Sequence, residues 1–263
     1  MNYKILIAML CFTVTSAFAH FQMLYTPNMA LTSGKTIEVR QIFTHPFADV
    51  HTMDMSGIDE FYSVTKKKGK VDLKNTLKPI VFNGKYDSGK AFASKYKARS
   101  MGDHILVLKP TPYYLNDQDM YLQQITKVII NVAGIPNGWD QDLGLKAEIV
   151  PLTKPYAIWE GGSFTGIVKS EGKIVPNASI DVEYLNSDID LKNNQMGESK
   201  YTTPQDSFIT LSIRANANGE FTFSIPKAGF WGFSAVGIGP DKSYKGSYLS
   251  QDAIIWVEAK EMK

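Results

Sequence analysis

Runs of alternating apolar and polar residues, broken every ten residues or so by Gly, Pro, Asn or Asp, set the pattern of this chain. From Lys35 to Ile42 the alternation puts Ile37, Val39 and Gln41 on one face, with Thr36, Glu38, Arg40 and Ile42 on the other. That is the period of a half-buried β-strand. A loop from Phe43 to Gly57 follows. Phe61–Val64 reads as a strand, Lys66–Lys70 as a basic hairpin turn, and Val71–Leu77 as a polar connection. Gly102–Leu108 alternates again, and Tyr121–Val132 is a longer β-branched run that contains Lys127. Gly134–Gly144, with Pro136, Gly138 and Trp139, reads as a loop.

The pattern restarts near Pro151. Strands are expected at Phe164–Lys169, Ile180–Tyr184, Phe208–Ala215, Phe221–Ile225, Trp231–Val236 and Ala253–Glu258. Asn218-Gly219 forms a tight turn between two of them, and the polar stretch Asn186–Asp206 is expected to loop out. Short strands at this spacing predict an all-β fold. An antiparallel β-sandwich-like domain over residues 20–154 would precede an immunoglobulin-like or prealbumin-like sandwich over 155–263.

The first 19 residues stand apart. Lys4, the apolar run Ile5–Val14 and the small-x-small pair Ala17 and Ala19 have the form of a signal peptide cut before His20. The apolar run is shorter than the ~20 residues a bilayer requires. Cleavage leaves 244 of 263 residues and no transmembrane segment, so an exported, periplasmic protein is expected. Cys11, the only cysteine, lies in the leader, so the mature chain has neither disulfide nor thiolate ligand. Without Lys4 there are 27 basic and 26 acidic residues, a balance that gives no reason to expect nucleic acid or anionic lipid as a partner.

Cleavage would also change the chemistry of His20, giving it a free α-amine beside its imidazole. The two nitrogens together can chelate one metal ion. Of the four histidines, His20, His45 and His51 lie within 32 residues of one another. His45-Pro46-Phe47-Ala48-Asp49-Val50-His51 places two imidazoles six apart in a proline-containing loop, which is not bound to strand alternation. Three or four nitrogen donors suit Ni(II) or Cu(II). Met53 and Met55 could add a soft ligand that favours copper, although methionines more often fill a core edge. His104 shares a strand face with Leu106 and Leu108 and reads as a structural histidine, and Lys66-Lys67-Lys68 reads as a solvated turn.

Catalytic signatures are missing. Serines are plentiful, but none sits in a Gly-x-Ser-x-Gly elbow. Gly161-Gly162 and Gly237-Ile238-Gly239 lack the strand-to-helix setting of a phosphate loop, and Asp117 and Asp119 lie in a polar turn where they would be solvated. A non-enzymatic role is expected.

Several motifs occur in one order: His20-Phe21-Gln22-Met23, His45-Pro46-Phe47, Pro112-Tyr113-Tyr114 and Ile125-Thr126-Lys127-Val128, then Glu148–Tyr156 and Ala228-Gly229-Phe230-Trp231-Gly232. That order resembles a family of exported domains of unknown function described as periplasmic components of energy-coupling-factor type nickel and cobalt uptake transporters. The resemblance covers nearly the whole mature chain. It implies a protein that captures Ni(II) or Co(II) and delivers it to membrane transporter subunits. It also implies ligation by His20 and His45, with His51 in the matching loop. The family pattern has an aromatic where this chain has His104. A periplasmic copper carrier with the same histidine chelate is the alternative in the same class. A surface or adhesion module with incidental histidines is the alternative outside it, and an oxidative polysaccharide enzyme is a weaker third.

Overall fold

The structure is a computed structural model and describes residues 20–263. Residues 1–19, where a leader and its cut site are expected, lie outside the described residues. Among the described residues there are 22 β-strands, two short 3-10 turns and no α-helix. They form sheets of six, twelve and four strands. Among the described residues no helix is long and apolar enough to cross a membrane.

Two long strands form the spine. Met120–Val132 and Ser247–Lys260 run parallel, with Tyr121 opposite Leu249 through to Val128 opposite Trp256. Both are buried along almost their whole length, as expected of central strands covered on both faces. The first strand also pairs with Gly102–Pro110, the second with Gly229–Ala235, and the twelve-stranded sheet therefore crosses the division at residue 154. One apolar cluster continues through both halves. In the C-terminal half, the rings of Phe164 and Phe233 meet at 4.7 Å between facing sheets, which closes a sandwich. The all-β sandwich architecture expected from the alternation is thus present, with a parallel pairing at its centre.

Alternation along the spine sends neighbouring residues to opposite layers. On one face Lys127 donates to Glu148 at 2.6 Å, and both side chains are essentially fully buried. Glu148 also accepts the backbone N–H groups of Leu143 and Leu145. Burial pushes the Lys127 ammonium below its ordinary pKa, and the Glu148 carboxylate opposes that shift. On the other face lies the first described strand, Phe21–Tyr25. Trp256 donates its indole N–H to the Gln22 carbonyl at 3.1 Å. Gly232 allows close packing here, because a Cβ would lie 3.0 Å from both the Phe21 ring and the Trp256 ring and force them to shift.

Three segments depart from the expected pattern. Asn186–Asp206 contains a hairpin, Ser187–Asp190 with Gln195–Ser199, instead of looping out. It is fastened to the buried Arg40, which donates to the Leu191 carbonyl at 2.7 Å and to Asn194 at 2.8 Å. Polar contacts stand in for the missing apolar residues. Phe208 lies in a 3-10 turn, so the strand expected from there begins only at Leu211. Val71–Leu77, expected as a connection, contributes to a short strand, Gly69–Asp72, and a 3-10 turn. The pair Lys78–Asn83 and Ser88–Ala98 has no strong sequence signature, because most inward residues of the second are small or polar, Gly89, Ala91, Ser94 and Ala98, with Tyr96 the one large exception.

Replacing Lys127 with Met leaves the buried Glu148 charge without its cation. Unfolding free energy measured by urea denaturation should fall by about 3–5 kcal/mol. A loss within the range of exposed pairs, under about 1 kcal/mol, would show that the pair is not the buried tie described here.

Candidate metal centre

Each half of the candidate site is held by backbone geometry. His20 precedes the Phe21–Tyr25 strand, whose register against Lys35–Thr44 places Phe21 opposite Thr44. His20 is therefore brought to the end of the strand that leads into His45. The two imidazole rings meet, with centroids 4.5 Å apart and planes inclined by 49°. Phe43 packs on His20 at 5.8 Å and on Tyr113 at 5.2 Å, so Tyr113 of the Pro-Tyr-Tyr motif reaches the same corner.

The loop after His45 is tied down on two sides. Asn186 donates its backbone N–H to the Pro46 carbonyl at 3.0 Å, and its side-chain amide donates to the Phe47 carbonyl. The Asp49 N–H returns to the His45 carbonyl at 2.8 Å, with Asp49 in the left-handed region at φ 47°. Asp49 then accepts the Lys85 N–H at 2.6 Å, and burial pushes its carboxyl pKa up to about 6. Asp87 in the same neighbouring turn accepts the Thr52 N–H and pairs with the imidazole of His51. The loop thus turns His45 toward His20 and engages His51 with Asp87. Met53 and Met55 are buried, as core residues.

Among the described residues, no group of three or more His, Cys, Asp or Glu side chains lies close enough to hold a metal ion. The assembled donors are the two imidazoles. Burial is the main influence on His20 and lowers its pKa, opposed by the nearby Asp117 carboxylate and reinforced slightly by His51. A neutral imidazole is the form that ligates a metal.

Beneath His20 is a cavity of about 130 Å³ whose walls include Gln124, Asp181, Ser234 and Asp252. The Gln124 amide donates to the His20 carbonyl at 2.7 Å and to Asp252 at 3.3 Å, while its oxygen accepts the Gln22 N–H at 2.7 Å. Gln124 is the residue that fixes where the His20 backbone sits. Burial raises the pKa of both Asp252 and Asp181. The sequence carried one weak sign of this row. Gln124 and Asp252 are polar residues in long strand-forming segments, each beside other polar residues, and only the strand pairing shows that they stand opposite each other.

His104 lies apart from this corner. It is 2% exposed, accepts the Tyr96 hydroxyl at its Nδ1 at 2.7 Å, and donates from Nε2 to the Ser100 carbonyl at 2.8 Å. Burial holds its pKa below the ordinary value of 6.5.

A family model described as "Domain of unknown function (DUF4198)" matches residues 17–239. The chain belongs to this family. No protein of curated function matches the sequence. Among solved structures, latent PorU from Porphyromonas gingivalis is similar at 10% identity and a TM-score of 0.24 over 92% of this DUF4198 chain. The chain spans 20% of the PorU length. The D0-D1 domain of intimin is similar at 12% identity and a TM-score of 0.22, over 91% of this chain and all of that one. The Yersinia pseudotuberculosis adhesin InvE is similar at 16% identity and a TM-score of 0.25, over 89% of this chain and 58% of that one. At these scores the likenesses carry no argument about function.

The structural place of His104 has a measurable consequence. Its folded pKa is below its unfolded one, so its contribution to stability is complete above pH ~6.5 and is lost as pH falls below that value. The difference in unfolding free energy between wild type and His104→Gln should shrink as pH is lowered from 7 to 5, with metal affinity unchanged. A difference that does not vary with pH would remove the titration of His104 from the stability of the fold.

Proposed function

We propose that this protein is an exported metal-binding protein that captures Ni(II) or Co(II) at an amino-terminal chelate and passes the ion to membrane uptake transporter subunits. The observation that carries the reading is the meeting of His20 and His45, 25 residues apart in sequence, with ring centroids 4.5 Å apart. Cleavage before His20 would add the α-amine as a third nitrogen. His51, engaged with Asp87, would join only after leaving that carboxylate. Nickel and cobalt, and the transporter as recipient, come from the resemblance to the uptake-associated family, together with the motifs in common order.

The donor set explains how capture and release could both occur. An amine and two imidazoles leave coordination positions open, so an acceptor's ligands can approach the ion before it departs. The α-amine, with an ordinary pKa near 8, must lose its proton to bind, so affinity should weaken as pH falls. The Phe43 ring packs on His20 and is itself backed by Tyr113.

Copper is the second reading, favoured by the same observation. An all-nitrogen set of three binds Cu(II) more tightly than Ni(II), and nothing in the corner enforces a nickel geometry. Competition at controlled free-ion concentrations separates the two. Nickel uptake lost on deletion of the gene supports the first, and copper bound with no effect on nickel uptake supports the second.

The mature protein should bind nickel at least about tenfold more tightly than a form carrying one extra residue before His20, because the extension acylates the amine. Equal affinities in calorimetric titration would exclude the amino-terminal chelate. His45→Ala should weaken binding by a similar factor, about tenfold or more, measured where the variant is still folded. Full affinity in that variant would mean that the ring contact is packing alone.

A further inference from the structure

Away from the histidine pair, positive charge collects in one place on a chain that is otherwise almost neutral. A cleft of about 480 Å³ has Lys67, Lys68, Lys95, Lys97 and Arg99 on its walls and no carboxylate. The five cations come from three segments: the hairpin turn after the Ile58–Thr65 strand, the end of the Ser88–Ala98 strand, and the loop that follows it. Lys95 is offset by Glu38 at 3.1 Å. Among the described residues, Lys67, Lys68, Lys97 and Arg99 have no ion-pair partner.

The cleft exists because a strand stops short. Lys78–Asn83 pairs with its neighbour only from Ser88 to Ala93, whereas on the other side Lys35–Gln41 pairs from Phe92 to Ala98. Beyond Ala93 one edge of the longer strand is therefore uncovered. Lys95, Tyr96 and Lys97 all line the cleft, and a strand can present three consecutive residues to one space only along its edge. The floor is polar and locked. The Ser63 hydroxyl bonds to that of Tyr96, which donates to His104, which in turn donates to the Ser100 carbonyl. Thr76 and Ser100 add hydroxyl groups at the walls.

Four unpaired cations around one space repel one another, and an anion relieves that repulsion. A lone carboxylate would offset one of them. A phosphate monoester carries about 1.5 to 2 negative charges at neutral pH and accepts hydrogen bonds on three oxygens. Lysines serve it as point charges, and an arginine can bind it in a fork. The near-neutral whole chain and the confined cleft do not provide the continuous basic track that a nucleic acid needs.

We propose that this cleft binds a phosphate-bearing ligand of more than one negative charge, with Lys67, Lys68, Lys97 and Arg99 as its cationic walls. The ligand is either a soluble phosphorylated molecule or the phosphate of a lipid head group, and the shared chemistry is the phosphate. The lysine run at the hairpin turn is then one wall of a site. The proposal is independent of the metal centre.

The test uses the metal-free mature protein with pyrophosphate as a soluble probe in calorimetric titration. Vesicles of phosphatidic acid, whose head group is a phosphate monoester, in phosphatidylcholine, beside vesicles of phosphatidylcholine alone, serve as the lipid probe. A variant with Lys67→Gln, Lys68→Gln and Lys97→Gln is compared with a control, Lys173→Gln, Lys192→Gln and Lys245→Gln, that makes the same charge change on other exposed lysines. The cleft variant should bind at least about tenfold more weakly than wild type, and the control should not. Pyrophosphate should raise the thermal midpoint of wild type and control but not that of the cleft variant. Binding of pyrophosphate identifies a soluble ligand class, and binding of anionic vesicles alone identifies a head group. Either supports the site if the cleft variant loses it selectively. Equal loss in both variants, or binding of neither probe by wild type, overturns it.

Discussion

The hydrogen-bonded ladder between Met120–Val132 and Ser247–Lys260 is the constraint on which the rest of the structure depends. Parallel strands far apart in sequence can pair only after the intervening chain has folded back, so this ladder closes the molecule on itself. Because a strand alternates its side chains, the same ladder serves two layers. Gln123, Ile125 and Lys127 face one way, with Lys127 reaching Glu148. Gln124 and Thr126 face the other, toward Gln22 and the His20 backbone. A shift of one residue would exchange the two sets and destroy both.

Conserving that register requires polar groups in places where apolar ones would pack equally well. Gln124 and Asp252 are directly opposite on the two spine strands, and Gln124 divides its hydrogen bonds between Gln22, His20 and Asp252. A buried amide so fully engaged holds one arrangement, because any other would leave donors unsatisfied. The consequence is a fixed position for His20 at the mouth of a polar cavity. The opposing histidine is positioned by different means, through backbone contacts of the His45 loop to Asn186 in the second half and to the turn at Lys85–Asp87. The candidate centre thus forms where three separate parts of the chain meet.

Several of the motifs that carry the family resemblance have structural roles. Lys127 of Ile-Thr-Lys-Val and Glu148 of Glu-Ile-Val-Pro are partners in a single buried ion pair. Gly232 of the Ala-Gly-Phe-Trp-Gly segment makes room for Phe21 and Trp256, and Phe21 belongs to the motif that begins at His20. Gly229 lies at φ 128° against the Tyr184 ring, where a side chain would clash. These motifs pack on one another, and at the corner containing His20, His45 and Tyr113 that packing brings the two imidazole rings together.

By itself the sequence determined the all-β class and the central part of both spine strands, since alternation and turn residues are local properties. It also marked His20, His45 and His51 as candidates, because a histidine behind a small-x-small pair and two histidines in a proline-containing loop are visible as written. Only the tertiary structure decided which histidines meet. His45 and His51 are equivalent in a loop read as letters, and the carboxylate of Asp87, 36 residues beyond His51, separates their roles. The strands of small inward residues, the hairpin fastened to Arg40, and the opposition of Gln124 and Asp252 were likewise invisible. Each depends on a partner distant in the chain, and the alternation that reveals a strand says nothing about which strand will lie beside it.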